Sequence, residues 1–374
     1  MGYASPLPPS AACCRLVAIL ALIPFLANAQ AGPRTDTPLK GELRITFEPV
    51  ITMWDREFTG NSSHERPLAA TLPFTTLFVR AEQRVTPLVF DFGITNRFSV
   101  SARVPLVRVN TRESFPQDSL GRYADTTGKR RLDSLLADPT YAFDRLIGTR
   151  RHLHYFAGDV ELEAKYRIME SRMYALSGAL VVRLPTGHQD SPNNLFDIAT
   201  GDHQTDIELQ VAQEVTLFNR FWLNALVRAG RQQPGMRSRR VGPPSELLIP
   251  YAALATLKWD PGDYARIDVA PMFKLSKPFA IGFTAGYYTQ ASDRYTYRSA
   301  QDSTDLATRL GAPVSASVLE EGTAYHWARL GFAMTYRGSD VEGSLSLEQT
   351  VTGSERVPVA SVYRIVMRTS RLQF

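Results

Sequence analysis

The chain has 374 residues, of which 44% are hydrophobic and 21% charged, with a formal charge of +5, a pI near 9.2 and a mean hydropathy of -0.17. It is too apolar and too aromatic to be disordered. Its one long apolar run sits at the N-terminus, which excludes a helical membrane protein, but such averages are blind to a chain that is apolar on every second residue.

The first predicted element is a leader. Residues 16–26 form the apolar run, with Arg15 before it and Ala27-Asn28-Ala29 after it. That order matches a secretory signal peptide, and the run is too short to span a bilayer comfortably. Residues 1–29 are expected to be removed, 30–40 to form a short N-terminal segment, and 41–374 to form a single domain. Cys13 and Cys14, the only cysteines, leave with the leader. Disulfides, thiolate nucleophiles and cysteine metal sites leave with them. Loss of Arg15 lowers the formal charge to +4. The remaining basic bias is spread along the chain, and no nucleic-acid partner is expected.

The body alternates with period two, the mark of strands with one apolar face. Leu43, Ile45 and Phe47 alternate with Glu42, Arg44, Thr46 and Glu48. Leu88, Phe90, Phe92 and Ile94 alternate with Val89, Asp91 and Gly93, and Phe98, Val100, Ala102 and Val104 with Ser99, Ser101 and Arg103. In residues 159–168, Val160, Leu162, Ala164, Tyr166 and Ile168 share one face, and Asp159, Glu161, Glu163, Lys165 and Arg167 the other. The rhythm returns at 174–184, 206–211, 221–228, 266–274, 279–287, 329–337, 341–348 and 362–374, which makes twelve strands.

The connectors alternate too. Short ones lie near 96–97, 170–171, 218–220, 276–278 and 338–340, and long ones near 59–86, 113–155, 187–204, 232–264, 291–326 and 351–360. Short periplasmic turns and long external loops are the habit of a transmembrane β-barrel, and an even count puts both termini on the periplasmic side. Thr76–Arg80 and Tyr251–Trp259 are apolar enough to be further strands, which would make fourteen.

The predicted fold is therefore all-β, an antiparallel up-and-down transmembrane barrel. Charges on the second face would be intolerable unpaired in a soluble core, whereas a barrel turns them toward a wet lumen. The lumen is expected to be lined by Arg44, Asp91, Arg103, Glu161, Glu163, Lys165, Arg183, Glu208, Arg228, Asp268 and Arg329. Mixed charge favours polar passage without marked ion selectivity. Two aromatic girdles are expected. Trp54, Phe58, Tyr155, Phe156, Tyr287, Tyr288, Tyr325 and Trp327 would form the external one, and Phe98, Tyr166, Phe218, Phe221, Phe279 and Tyr336 the one near the short turns. The terminal Phe374 would be read by the barrel assembly machinery. Its parity disagrees with Tyr363, Ile365 and Met367, and a β-bulge between Met367 and Leu372 would reconcile them. Residues 131–136 should be helical, and the long loop around them, folded inward, would constrict the pore. The basic stretches Lys129-Arg130-Arg131, Arg150-Arg151 and Arg237-Ser238-Arg239-Arg240 are expected on the outside, near lipid and lipopolysaccharide phosphates.

Arg183-Leu184-Pro185-Thr186-Gly187, followed by Ala199-Thr200-Gly201-Asp202 and Thr205-Asp206, resembles the "LPTG … GTG … D" signature of outer-membrane barrels of the phenol meta-pathway and transporter type. Gly158-Asp159-Val160 is similar to that family's strand start, while Ala199 stands where the family usually has Gly. The resemblance implies a channel for hydrophobic or aromatic compounds. Independently of it, Pro185 belongs where strand pairing ends, Gly187 and Gly201 permit unusual turns, and Asp202 and Asp206 can cap returning backbone. A loop clamp is the expected role of these five residues.

Catalytic chemistry is sparse. The histidines His64, His152, His154, His188, His203 and His326 fall in loops or at the rim, and no G-x-S-x-G elbow occurs. His152 and His154 would share a strand face beside Arg150 and Arg151, but a solvated basic loop is the plainer reading. Asp302-Ser303-Thr304-Asp305 lacks the spacing of a calcium loop. No catalytic residue, metal or cofactor is expected. The expected function is a passive outer-membrane channel for small solutes. Its rivals are a non-conducting structural or adhesion barrel, an outer-membrane enzyme and a secreted β-sandwich.

Overall fold

The computed structural model describes residues 35–60, 64–116, 124–144, 156–195, 199–201, 203–218, 220–244, 246–338, 341–369 and 372–373. The expected leader, His152, His154, Arg150, Arg151, Tyr155, Asp202 and Phe374 lie outside them.

Twelve antiparallel strands close into a barrel. In chain order, β1 comprises Glu42–Phe47 and Val50–Trp54, β2 is Thr75–Gly93, β3 Phe98–Ser114, β4 Val160–Glu170, β5 Tyr174–Leu184 and β6 Asp206–Leu217. β7 is Phe221–Gln232, β8 Tyr264–Lys274, β9 Phe279–Gln290, β10 Tyr325–Arg337, β11 Val341–Gly353, and β12 Ser361–Thr369 with Leu372–Gln373. Each strand pairs with its chain neighbours, and β12 returns to β1 to close the ring. Closure gives the ring itself no free end strand. β1 is interrupted at Pro49, which has no N–H to give the ladder. Glu42 lies opposite Gln373, so both strand ends sit on the short-turn side.

Met367 faces Phe47 while Leu372 faces Leu43. Between these pairs β12 carries one residue more than β1, which is the one-residue shift that the parity conflict required.

Neither extra apolar stretch adds a barrel strand. Thr76–Arg80 is the outer part of β2, which runs 19 residues and pairs with 17-residue β3 well beyond the other strands. Tyr251–Trp259 leads into Leu254–Asp260, which pairs with Gly235–Arg240 and Arg294–Tyr297 in a three-stranded sheet outside the barrel.

The outer face is an apolar band: Phe92, Leu162, Leu209, Phe283, Phe332 and Ile365 are all exposed. Buried apolar residues form local clusters. Trp222 and Met272 fill the lumen near the short β6–β7 and β8–β9 turns with Ala270, Ala280 and Ala333. Helix α1, Ala124–Leu136, is longer than predicted and buries Leu132 and Leu136 against Leu77, Leu72, Phe115 and Phe143. Leu77 shares the inward parity of Asp91, so α1 packs on the inner side of the β2 extension. Helix α2, Ala300–Leu310, holds Asp302 to Asp305 and is capped by Ser299, whose side chain accepts from the Asp302 N–H. Its Leu306 packs with Leu257, Trp259 and Tyr295 of the outer sheet.

Candidate functional site: the lumen and its loop clamp

The signature residues meet at the long-loop end of β4 and β5. Gly187 N–H donates to Asp159 Oδ1 at 2.7 Å, and Thr186 Oγ1 donates to Gly158 O at 2.9 Å. Val160 N–H donates to Thr186 Oγ1 at 2.9 Å, and His188 N–H to Thr200 Oγ1 at 2.9 Å. A Cβ at Gly187 would meet Gly201 Cα at 2.7 Å, and one at Gly201 would collide with Asp159 Oδ1. Only glycine allows this close approach. The cluster pins residues 186–188 and 200–201 onto the start of β4. Pro185 stands immediately after the last β5 residue. Asp206 turns elsewhere: its Oδ2 accepts from Arg183 Nη1 at 2.6 Å.

That contact opens a chain of inward ion pairs. Arg183 also bonds Glu161 (3.1 Å), Glu161 lies 3.7 Å from Arg103, Arg103 3.7 Å from Glu48, and Glu48 3.5 Å from Arg364. The belt links β6, β5, β4, β3, β1 and β12. On the far wall Asp268 accepts from Arg266 at 2.7 Å and lies 3.5 Å from Arg228. Lys165 pairs with Glu163 at 3.0 Å, and Arg44 with Asp36 at 3.0 Å. Removing one partner would strand a charge inside the wall, a large penalty, and this explains why the inward charges occur in complementary sets.

Nine of the predicted lumen residues, Arg44, Asp91, Arg103, Glu161, Glu163, Lys165, Arg183, Glu208 and Arg228, line one cavity of about 170 Å3. Asp268 lines a neighbouring space with Arg228 and Arg266. Arg329 lies apart, its guanidinium 4.1 Å over the Trp327 ring and its Nε 3.3 Å from Thr350 Oγ1. Sequence reasoning passed over Glu48, Arg266, Glu348 and Arg364, although each continues an inward parity already recognised. Asp36 had no such signal. It is brought in because the N-terminal segment folds back over the β2–β3 turn, where Thr37 O accepts from Arg167 at 2.9 Å and Thr37 Oγ1 donates to Asn96 O at 3.4 Å.

The external girdle needs correction. Tyr287 faces out, but Tyr288 and Trp327 face the lumen and stack at 5.4 Å, nearly parallel. Tyr264 and Tyr325 stack on Tyr288 at 5.8 and 5.5 Å. Strand parity decides this, since outward Phe283 and Tyr287 force Tyr288 inward. Phe58 is fully buried in the loop layer. Near the short turns Tyr166, Phe218, Phe279 and Tyr336 are exposed, with Phe279 and Tyr336 paired at 5.2 Å.

The tyrosine stack borders a cavity of about 450 Å3 that reaches the long-loop end, lined by Arg183, Arg228, Tyr264, Arg266 and Tyr288 from the barrel and by Arg237, Trp259 and Asp293 from the loops. Of the basic stretch 237–240, Arg237 and Arg239 both clasp Asp190 at 2.5 Å. Arg240 is 6% exposed and donates to Pro192 O (2.9 Å), Ile249 O (2.9 Å), Tyr141 O (2.5 Å) and Asn193 Oδ1 (2.9 Å), with Phe143 stacked 3.5 Å away. These arginines therefore tie loops to one another and do not point outward, in contrast to the sequence-based expectation. Arg130 and Arg131 on α1 remain exposed.

No family model matches the chain, and no curated protein matches it. Solved structures do. The COG4313 outer membrane channel of Pseudomonas putida F1 matches with a TM-score of 0.56 at 8% identity, over 91% of this chain and 99% of that one. The NanC porin (TM-score 0.38, 11% identity, 86% and 99% covered) and the toluene transporter TodX of P. putida (0.37, 11%, 89% and 89%) match more loosely. The first likeness supports the fold, a closed antiparallel β-barrel like that of an outer-membrane protein; the other two are too loose to carry weight.

Proposed function

We propose that this chain is an outer-membrane channel through which small solutes pass passively, exported by its N-terminal leader and inserted with the short turns toward the periplasm. The observation that carries the reading is the inside-out barrel: an apolar belt outside, and inside it a belt of paired charges around two cavities that share Arg183, Glu208 and Arg228. Seven basic and six acidic side chains line the short-turn cavity, so selectivity between small ions should be weak. The aromatic inner wall supports passage of aromatic solutes. The wall supports transport over catalysis, because many of its charges pair with each other.

Planar-bilayer recordings of purified, refolded chain test the proposal. Stepwise conductance is expected, and silence at every voltage would refute it. A non-conducting structural barrel is the second reading, favoured by the loops that Arg240 knits together; silence would support it. Heat-modifiable migration of the chain from an outer-membrane fraction checks its location.

A further inference from the structure

The cavity of about 450 Å3 at the long-loop end has a composition that the belt of charges does not explain. Its size falls within the range of small-molecule sites. One part of its wall is aromatic, with Tyr264 and Tyr288 on adjacent strands and their rings stacked at 5.8 Å. Both are held in place. Tyr264 donates its hydroxyl to Glu208 at 2.6 Å, and Tyr288 donates to Gln290 at 2.7 Å. Fixed rings of this kind offer a partner ring contact without ordering cost.

The rest of the wall is rich in guanidinium. Arg183, Arg228, Arg237 and Arg266 line it, against the two carboxylates Glu208 and Asp293. The acidic partners of the arginines, Asp206, Asp268 and Asp190, are not among the lining residues, so the cavity meets the cation and not the pair. The two lining carboxylates already accept hydrogen bonds. Glu208 takes the Tyr264 hydroxyl, and Asp293 takes Trp259 Nε1 at 2.9 Å and Gly262 N–H at 3.1 Å. The planar guanidinium matches a carboxylate best.

We propose that this cavity binds aromatic carboxylates, with the ring against Tyr264 and Tyr288 and the carboxylate toward Arg266 and Arg228. The proposal rests on the channel reading for its consequence, which is selective uptake of arene acids, but binding itself is measurable without conductance. An aliphatic acid lacks the ring contact, an arene alcohol lacks the charge, and a sugar acid lacks the planar face.

The test is calorimetric titration of the refolded full-length chain with benzoate, cyclohexanecarboxylate, benzyl alcohol and galacturonate. Benzoate should bind about tenfold tighter than each of the others. Tyr288→Leu should erase the preference over cyclohexanecarboxylate, and Arg266→Gln the preference over benzyl alcohol, in variants that keep heat-modifiable migration. Equal binding of benzoate and either analogue, tighter binding of galacturonate, or preferences unchanged in both variants would overturn the proposal. In bilayers, benzoate should also block the current at lower concentration than its analogues. A silent bilayer with benzoate still bound would remove the channel reading and leave the site, whereas an open channel without the benzoate preference would remove the site alone.

Discussion

At the scale of single residues, the sharpest constraints lie where backbone meets side chain. Gly201 sits so close to Asp159 that alanine there must displace the carboxylate which holds Gly187. Gly201→Ala is expected to destabilise the chain by about 1–3 kcal/mol, read as a lower denaturant midpoint for unfolding in vesicles. Combining it with Asp159→Ala should cost less than the sum of the two, since they share one contact. Arg240→Ala removes a side chain that satisfies carbonyls from three loops. It should raise protease sensitivity of the long loops while leaving the barrel's heat-modifiable transition in place. Asp190 allows a pH prediction. Burial alone would raise its carboxyl, but Arg239 and Arg237 outweigh burial and hold it below the usual range. A depressed carboxyl contributes stability that is complete above the ordinary value of 3.8 and is lost as pH falls through the lowered one. Open-channel noise from the loops should therefore rise below about pH 3.8 in the wild type, and Asp190→Asn should show that noise already at neutral pH.

At the scale of elements, parity decides which side of the wall a residue serves. Leu209 and Gln210 are neighbours on β6, yet Leu209 is 58% exposed on the outer band while Gln210 lines the lumen. Leu209→Arg should cost about 2–4 kcal/mol if it lies near the bilayer midplane, and Gln210→Arg close to nothing. Refolding yields and unfolding midpoints in lipid vesicles would separate the two, and equal effects would count against the inside-out assignment. The strands β2 and β3 show the limit of pattern reading. Their lower halves alternate cleanly, but residues 75–86 fall within the stretch that reads as a connector, and 105–112 lie beyond the alternating 98–104. They are strands because they pair with each other and because α1 covers their inner side, and neither cause is visible in a local window.

At the scale of the whole molecule, a barrel needs no continuous apolar core, so its stability comes from the closed ladder, the outer band and local clusters. The lumen is narrowed by Trp222 and Met272 near the short turns and by loops at the other end. Near-balance of the lining charges predicts a reversal potential close to zero in a salt gradient. A strong cation or anion preference would count against these residues lining the proposed path.

Period-two alternation and the rhythm of connector lengths determined the barrel, its twelve strands, the common side of its termini and most of its inward charges. Both signals are local, because which face a side chain takes follows from position along one strand. The tertiary structure alone decided the partners of those charges, the return of Asp36 to the lumen, the inward turn of Arg237 and Arg240, and the assembly of Tyr264, Tyr288, Tyr325 and Trp327 into one stack. Those contacts join residues from different strands and loops, and their registry is set by the shear of the closed sheet, which no single segment of sequence encodes.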